Sequence, residues 1–545
     1  MNTTPYSEGS NRAAICFIAE APARNEMIRQ KPLVGESGQL FDHALREAGI
    51  LRSDVQIANV IRHPIDSVDA YIKARKVKSD TVRELTSLGR GAADDLRVRL
   101  SDSQARVFVP MGNLALGALT DKFGITKVRG SPLHPGQGYS PHSWVIPTVH
   151  PAYCLPFRGN EHWIDIIIRD LKKIKSFAAG EAEVIDRNLL INPTYSEVGD
   201  YLEECDKHGR VAFDIETFNN HVSCMSFSYD KRHAISIPFL AAPWSPFQEC
   251  IIWRRIAKVL ENPNVEKVGS FIASFDIPFL FYLYKIITRG RIIDSAVAHR
   301  IMYPDYPATL EFLCSIYTNQ EYYKDDKKAW KRPLENPDRF YRYNALDSCV
   351  VLEIVEDGGE FMTELKDDYW ITYQNVMTPF EAALFAGMRG MKIDKAALEK
   401  SYIDIKSKLV ETEAEFGATA EYDFNPGSGP ACMKYFYIHK KLKPYMKRVK
   451  KGNKVEYRQT CDDKALARLA RKGYKEAKLI QEIRNLRKLR DSYYEIGFDV
   501  DGRMRCSYDL KGTKSARLSS RKTPWGTGGN QQNLDPRFKS FIVPD

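Results

Sequence analysis

The sequence predicts an α/β protein of several domains, and three observations support this fold class. The chain has 545 residues, a length that suggests about three or four domains. Apolar runs alternate with helical patterns in the first third, as in an open α/β sheet. A buried-strand pattern at 211–218 bears two acidic residues. We divide the chain into residues 1–185, 186–375 and 376–545, the last of them mainly helical.

The amino-acid composition indicates which class of molecule the protein binds and in which cellular compartment it works. The net charge of +10 and the pI of about 8.9 favour a polyanion, with nucleic acid before an acidic membrane surface. None of the ten cysteines forms a C-x-x-C pair, which predicts reduced thiols. No apolar run reaches the roughly 18 residues of a membrane span, and we see no secretory signal. We expect a cytoplasmic protein, in the host cell cytoplasm if viral, without a membrane partner.

In the first segment, polar residues follow the predicted strands. The strand patterns are residues 13–19, 55–60, 107–111 and 145–149, and a helix is predicted at 39–48. Glu20, Asn59 and His150 fall at or just beyond three of these strands. In open α/β sheets, ligands bind beyond the carboxyl ends of the strands. These three residues are therefore candidates for one site, although each taken alone is an ordinary loop polar residue.

The motifs of this segment resemble those of the uracil-DNA glycosylase superfamily. They are EAPA at 20–23, KPLVGESGQLFDHAL at 31–45, IANV at 57–60, PMGNLAL at 110–116, ITKVRG at 125–130 and TVHPAY at 148–153. The resemblance implies that Asn59 reads the uracil edge and that Glu20 helps to place the water. It also implies that His150 hydrogen-bonds the carbonyl oxygen on which charge develops as the glycosidic bond breaks.

Three departures from the family pattern leave the activity of this domain open. Ala19 stands where the family usually has glycine, and Leu33 stands where an aromatic residue commonly stacks on the flipped base. Iron–sulfur members have four cysteines, whereas this segment has only Cys16 and Cys154, so no iron–sulfur cluster is expected. An active glycosylase and a domain that only senses uracil are both compatible with the sequence.

The second segment contains acidic residues whose spacing predicts a binding site for hard metal ions. Alternation along a strand puts Asp214 and Glu216 on one face, where two carboxylates repel unless a cation lies between them. Asp276 and Asp347 follow in apolar contexts, and Tyr343 lies four residues before Asp347 on one helix face. An all-oxygen ligand set favours two Mg²⁺ or Mn²⁺ ions. Such a pair suits the attack of water on a phosphodiester, with Tyr343 orienting the water.

The order of these motifs resembles the 3′–5′ proofreading exonucleases of the DEDD type, in the tyrosine subclass. The resemblance implies an RNase H-like domain with Asp214, Glu216, Asp276 and Asp347 as metal ligands. The asparagine that usually precedes the second aspartate is missing, and Phe271 and Ile272 occupy that neighbourhood.

In the third segment, basic residues cluster between residues 439 and 458. Nine lysines and arginines stand there against one acid, Glu456. A solvated loop is the simpler interpretation, but with a nuclease upstream we favour a tip that contacts phosphates. The residues proposed for DNA contact are Lys447, Arg448, Lys450 and Lys451. Thr460 and Asp463 are predicted to form the capping box of the next helix.

The end of the sequence resembles family-A DNA polymerases. The similar stretches are RGMKID at 389–394, FNPGS at 424–428, GTKSARLSS at 512–520 and NQQN at 530–533. The resemblance implies a thumb and the beginning of a palm, with Arg517, Gln532 and Asn533 along the primer–template. Neither palm aspartate nor the fingers helix is present, and Asp545 is not assigned to a metal. The sequence is either a fragment of a longer polymerase or one subunit of a split polymerase. We favour the split enzyme, in which a second polypeptide supplies fingers and palm.

We therefore predict the N-terminal part of a bacteriophage-type family-A polymerase for DNA replication. Its own chemistry would be 3′–5′ exonucleolysis, and its partners a primer–template, a single-stranded 3′ end and other replisome proteins. The first alternative is a repair enzyme that excises uracil and uses the nuclease to clean ends. The second is a DNA-binding scaffold subunit whose sites are inactive.

Overall fold

The computed structural model describes residues 4–77, 80–326, 336–451 and 454–545. It divides into two compact units. The first comprises Met1–Ser270, Gly290–Ser295 and Pro307–Asp367, and the second comprises Phe271–Arg289, Ala296–Tyr306 and Asp368–Asp545. The predicted division at residues 185 and 375 stays a prediction. No helix within the described ranges is long and apolar enough to cross a membrane.

Through residue 367 the chain alternates between strands and helices. The strands are β1 (Ser7–Glu8), β2 (Ile15–Ala19), β3 (Gln56–Asn59), β4 (Ile72–Val77), β5 (Asp80–Leu85), β6 (Val107–Pro110), β7 (Trp144–Val145), β8 (Asn188–Leu190), β9 (Arg210–Phe218), β10 (His221–Ser228), β11 (His233–Pro238), β12 (Glu266–Gly269) and β13 (Ile292–Asp294). The helices are α1 (Arg24–Arg29), α2 (Glu36–Glu47), α3 (Ser87–Arg99), α4 (Asn113–Thr120), α5 (Ile125–Val128), α6 (Trp163–Ala179), α7 (Tyr195–Lys207), α8 (Pro246–Glu261), α9 (Asp276–Tyr284), α10 (Ser295–Met302), α11 (Leu310–Tyr317), α12 (Pro337–Ile354) and α13 (Glu360–Glu364).

The first sheet has the strand order β1-β3-β2-β6-β7. Strands β2, β3, β6 and β7 are parallel, and β1 runs antiparallel at the edge. Every residue of β2, β3 and β6 is buried. Continuous apolar strands of this kind are typical of a sheet covered on both faces. The carboxyl ends of the parallel strands therefore meet at one edge.

The second sheet has the order β13-β12-β9-β10-β11-β8. Strands β9, β10 and β11 form an antiparallel meander, and β12 and β13 continue the sheet in parallel beside β9. Helix α12 packs across β9, β10 and β11. Most residues of α12 are buried, including Asn344 and Asp347. This packing brings polar side chains of the helix against the acidic end of β9.

From residue 368 the chain is mainly helical. The helices are α14 (Trp370–Met377), α15 (Phe380–Arg389), α16 (Lys395–Thr419), α17 (Gly429–Met433), α18 (Asp463–Arg471), α19 (Lys475–Leu489) and α20 (Pro536–Lys539). The strands are β14 (Met391–Ile393), β15 (Tyr445–Lys451), β16 (Lys454–Thr460), β17 (Arg503–Met504), β18 (Ser507–Asp509), β19 (Ser519–Arg521) and β20 (Ile542–Val543). Helix α19 packs on α16 and α18 through Leu479, Ile480, Ile483 and Leu486.

The predicted mixed α/β, multidomain fold is confirmed, and one capping prediction is wrong. Asp462, not Thr460, caps α18: its carboxylate accepts the N–H of Ala465 at 3.1 Å. Thr460 instead accepts the N–H of Asp462 at 3.2 Å. Aspartate and threonine are both good caps, and in this sequence they stand two residues apart.

Candidate functional site

Strand β9 and helix α12 bring three acidic residues together. Asp214 and Glu216 are two residues apart on β9, and Asp347 lies on α12. Each offers a carboxylate oxygen, and these oxygens all lie within 4.8 Å of one another. The residues around Asp214 on the strand are buried, while the acids are half-buried. The apolar side of β9 therefore anchors the strand and leaves its acidic side to the site.

Asn344 on α12 fixes the orientation of Asp214. Its amide Nδ2 donates to Asp214 Oδ2 at 2.9 Å and contacts the Asp214 carbonyl oxygen at 3.2 Å. The Asn344 Oδ1 accepts from the Ser236 hydroxyl at 2.8 Å. Both Asn344 and Ser236 are fully buried. Because the amide is held at its oxygen end, the position of its nitrogen against Asp214 is set by the fold.

A second group of side chains surrounds Asp347. The Tyr323 hydroxyl and the Lys324 ammonium both donate to Asp347 Oδ1 at 2.5 Å. Lys324 Nζ also lies 3.4 Å from the Tyr343 hydroxyl. Burial and the neighbouring carboxylates, Asp347 first, raise the pKa of Tyr343 well above its usual range. Tyr343 is therefore a protonated phenol near pH 7.

The fourth predicted ligand, Asp276, is the first residue of α9 and belongs to the second compact unit. It is 4% exposed. The preceding residues include Phe271, whose positive φ of 72° turns the backbone before the helix begins.

The three carboxylates on β9 and α12 suit a hard divalent cation, because they offer oxygen ligands at short mutual distance.

At the edge of the first sheet, Glu20 is held by the start of α4. Its carboxylate accepts the N–H of Leu114 at 3.0 Å, and the N–H of Asn113 also contacts it. Burial raises the pKa of Glu20, and these two N–H groups oppose that shift. Gly112, with φ at 112°, lies so close that a Cβ there would stand 2.5 Å from Glu20 Oε1. A glycine is required for this approach.

Asn59 is the last residue of β3 and pairs in register with Ala19 of β2, next to Glu20. It is 2% exposed, and its Oδ1 has no hydrogen-bond partner among the described residues. A buried amide oxygen without a partner is costly. It is therefore an acceptor available to a ligand N–H group at this sheet edge.

His150 follows the short pairing of Thr148 with Met111, next to β6. Its Nδ1 accepts the N–H of Ala152 at 3.1 Å. Burial lowers the pKa of His150 to about 4. The imidazole is therefore neutral near pH 7, and its proton is on Nε2, where it can be donated to a carbonyl oxygen.

The residues proposed to contact DNA lie on the second unit. Strands β15 and β16 form an antiparallel hairpin, with Lys447 opposite Arg458 and Arg448 opposite Tyr457. Lys447 and Arg448 are exposed, and Lys447 lies 3.2 Å from Asp462. Lys450 and Lys451 belong to β15, but their side chains lie outside the described part.

The other three proposed DNA contacts lie between Thr513 and Asn533. The backbone N–H of Arg517 donates to the Thr513 hydroxyl at 2.9 Å, and the Arg517 side chain is exposed. Gln532 exchanges hydrogen bonds with the backbone of Leu518 and Ser520, at 3.0 and 2.8 Å. Asn533 ends a short 3₁₀ turn and is exposed.

Sequence reasoning missed Lys324, Tyr323 and Asn344. Lys324 and Tyr323 precede α12 by more than ten residues and carry no motif, so only the fold places them at Asp347. Asn344 had a usable signal: it lies three residues before Asp347, on the same face of the helix.

Two family models match the chain. The uracil DNA glycosylase superfamily matches residues 6–172, and the 3′–5′ exonuclease family matches residues 191–357. These ranges contain the edge of the first sheet and the acidic site of the second. Asp214, Glu216, Tyr343 and Asp347 all fall within the exonuclease match.

Several curated proteins are similar to parts of the chain. The type-4 uracil-DNA glycosylase of Thermotoga maritima is 34% identical over 176 residues, which is 32% of this chain and 82% of that protein. The type-4 enzyme of Saccharolobus solfataricus is 27% identical over 203 residues, or 34% of this chain and 82% of that protein. The DNA polymerase of Bacillus phage SP01 is 23% identical over 454 residues, or 74% of this chain. The chain spans about half (46%) of that polymerase.

A solved structure, the POL domain of Pol1 from M. smegmatis in complex with DNA primer-template and dNTP, matches with a TM-score of 0.45 and 18% identity. The match covers 64% of this chain and 56% of the Pol1 chain. By residues 6–172 the chain belongs to the uracil DNA glycosylase superfamily, and in the same polypeptide it bears a 3′–5′ exonuclease domain and is homologous to a phage DNA polymerase.

Proposed function

We propose that this chain is a 3′–5′ DNA exonuclease that works as the proofreading part of a family-A DNA polymerase. The observation that supports it best is the carboxylate cluster of Asp214, Glu216 and Asp347, with Tyr343 one helical turn from Asp347. It lies within the part of the chain that matches the exonuclease family. The substrate would be a single-stranded 3′ end.

In this proposal the carboxylates bind two Mg²⁺ or Mn²⁺ ions, with Asp276 as the fourth ligand. Bound divalent ions would polarise the scissile phosphate and lower the pKa of the attacking water. Asn344 keeps the Asp214 carboxylate turned toward the cluster. The protonated Tyr343 orients the attacking water through its hydroxyl oxygen.

The polymerase role is supported by the similarity to the phage SP01 enzyme along 74% of this chain. Residues 376–545 would grip the primer–template, with Lys447, Arg448, Arg517, Gln532 and Asn533 along its backbone. Exposed basic residues on paired strands β15 and β16 suit phosphate contacts. Nucleotide addition would require fingers and palm, and other replisome proteins would bind the assembly.

A primer with a mismatched 3′ end tests the nuclease. We expect the chain with Mg²⁺ to remove single nucleotides, and Asp214→Ala to abolish that removal. Asp200→Ala removes an exposed carboxylate on α7 and serves as the matched control. Equal degradation by the parent and by Asp214→Ala would refute the proposal, as would no degradation by the parent.

Primer extension tests the need for a second polypeptide. With Mg²⁺ and four deoxynucleotides, we expect this chain alone to add no nucleotide to a recessed 3′ end. Extension by the Asp214→Ala variant alone, which should not degrade the primer, would show that this chain needs no second polypeptide.

Recognition of uracil is the second candidate function. It is favoured by the buried Oδ1 of Asn59, which has no partner among the described residues and fits the N3–H of uracil. The neutral His150 could donate from Nε2 to a uracil carbonyl oxygen. We leave open whether the domain cleaves the base or only binds it.

Two measurements on a uracil-containing single strand separate these outcomes. Abasic-site formation that disappears in Asn59→Ala supports a glycosylase. Tighter binding of the uracil strand than of the thymine strand, without abasic sites, supports a sensor. No difference between the strands in either measurement would exclude uracil recognition. Asn192→Ala, an exposed asparagine in the exonuclease segment, controls for loss of an amide.

A further inference from the structure

A lysine lies inside the proposed exonuclease site, and no motif assigns it a role. The Lys324 ammonium donates to Asp347 Oδ1 at 2.5 Å and lies 3.4 Å from the Tyr343 hydroxyl. Its side chain is 11% exposed. One positive charge therefore contacts both a proposed metal ligand and the proposed water-orienting residue.

The surroundings of Lys324 hold its side chain in place. Its Nζ lies 4.7 Å from the centre of the Tyr323 ring and 4.8 Å from that of the Tyr343 ring. Cation–π contacts of this length hold the ammonium against both rings. The Tyr323 hydroxyl donates to the same Asp347 oxygen, so Oδ1 accepts from two donors that hold the carboxylate in place.

The backbone that bears Lys324 is also anchored. Tyr322 donates from its hydroxyl to Glu311 at 3.0 Å, and Asp326 pairs with Arg339 at the start of α12. The N–H of Asp326 closes a turn onto the Tyr323 carbonyl at 2.9 Å. The lysine therefore reaches the site from a turn tied to α11 and α12.

We propose that Lys324 is a positioning residue of the exonuclease: it fixes the Tyr343 hydroxyl against the Asp347 carboxylate. This inference rests on the nuclease proposed above. A Tyr343 oxygen that accepts from Lys324 keeps a second lone pair, which can accept a hydrogen bond from the attacking water. The fixed contact selects the orientation of the phenol in which that lone pair is available.

The same geometry has a second consequence, which concerns metal binding. A positive charge 2.5 Å from a ligand oxygen repels a divalent cation at that ligand. Lys324 should therefore weaken the binding of the ion while it orients the water. These opposite effects distinguish a positioning role from a purely structural one, since a structural loss would weaken both.

The test compares Lys324→Met, Lys324→Arg and Lys231→Met in the full chain. Lys231→Met removes a surface lysine that pairs with Glu356 in the same compact unit and serves as the matched control. Binding of Mn²⁺ is measured by electron paramagnetic resonance of the free ion. The rate of nucleotide release from a short single strand gives kcat and KM.

We expect Lys324→Met to bind Mn²⁺ roughly 3- to 10-fold more tightly than the parent. Its kcat should fall roughly 10- to 100-fold with KM unchanged, because the water is no longer aligned. Lys324→Arg keeps the charge, so it should bind Mn²⁺ like the parent and recover part of kcat. Lys231→Met should match the parent in both measurements.

Unchanged or weaker Mn²⁺ binding in Lys324→Met would overturn the inference, as would a parental kcat. If the Met variant does not fold, Lys324→Gln removes the charge but keeps a donor, so only the Mn²⁺ outcomes apply to it. If the parent chain releases no nucleotide, the exonuclease proposal itself fails. The Mn²⁺ comparison then still decides whether the Lys324 ammonium acts on the Asp347 ligand.

Discussion

At the scale of single residues, the site depends on side chains that hold other side chains. Asn344 is the clearest case, since it donates to Asp214 and accepts from Ser236 in a fully buried position. Partners that orient a metal ligand commonly contribute 10- to 100-fold to metal affinity. Their effect is separate from that of the ligands, because they touch no ion.

We expect Asn344→Ala to weaken Mn²⁺ binding roughly 10- to 100-fold, because Asp214 loses the donor that fixes it. Ser236→Ala should weaken it less, since the amide of Asn344 is still present. Calorimetric titration of Mn²⁺ into each protein measures both effects. Affinity that is unchanged in Asn344→Ala would contradict the orienting role of the amide.

His150 gives a prediction about pH. Burial lowers the pKa of His150 from a usual value near 6.5 to about 4, so the unfolded chain takes up the proton first. Protonation of His150 therefore lowers the free energy of unfolding. This loss is absent above pH 6.5, grows as the pH falls, and is complete below pH 4. It amounts to at most about 3 kcal/mol of unfolding free energy.

His150→Asn should therefore lose less stability than the parent between pH 6.5 and pH 4. Asparagine can still accept the N–H of Ala152 but does not titrate. Melting temperatures at pH 7, 6 and 5 measure the difference, and His142→Asn, at an exposed histidine, is the control. Parallel pH profiles for the parent and His150→Asn would disprove the assignment.

Motifs named Asp214, Glu216 and Asp347, which the fold brings together, but missed the side chains that hold these acids in place. The D-x-E spacing was enough to place Asp214 and Glu216 on one face of β9. The contact of Lys324 with Asp347 joins a loop to a helix across 23 residues, and no periodicity encodes it. Asn59 Oδ1, which has no hydrogen-bond partner within the described ranges, likewise depends on burial that only the packed sheet creates.

At the scale of elements, one pair of strands and one helix cap differ from what the sequence suggested. The basic stretch that suggested a loop or tip forms the paired strands β15 and β16. The alternation of valine and tyrosine with charged residues at 445–460 is compatible with a hairpin exposed on both faces. The many basic residues indicated a loop or a phosphate-contacting tip, so the alternation typical of strands was not recognised.

The cap of α18 gives a prediction at this scale. Asp462→Ala should destabilise the helix by about 1 kcal/mol, because the N–H of Ala465 loses its acceptor. Amide hydrogen exchange of residues 463–471 should then be about fivefold faster. Asp463→Ala should leave the exchange nearly unchanged. A larger effect at Asp463 would restore the capping box that the sequence suggested.

At the scale of the whole molecule, motifs predicted the families of the first two segments but not how they share one compact unit. A buried network of hydrogen bonds connects the two segments, and no sequence pattern predicts it. Arg129, in the glycosylase-like segment, pairs with Asp170 and donates to the Ser315 hydroxyl of the exonuclease segment at 3.0 Å. Lys173 donates to the carbonyl oxygens of Ser315 and Thr318 at 2.6 and 2.7 Å.

This network gives the prediction for the molecule as a whole. The side chains of Arg129 and Asp170 are each 1% exposed, and Asp170 also accepts from Thr148 at 2.7 Å. Asp170→Ala leaves the Arg129 charge buried without its carboxylate, which should cost roughly 3–5 kcal/mol. The double variant Arg129→Met, Asp170→Leu should lose much less, since it removes both charges.

Calorimetric melting of the full chain checks this prediction. In Asp170→Ala the glycosylase-like and exonuclease segments should melt at a lower temperature together, because the network belongs to both. In the double variant most of that loss should be recovered. If only one segment is destabilised, or if the double variant melts as early as the single one, the buried pair does not link the two segments.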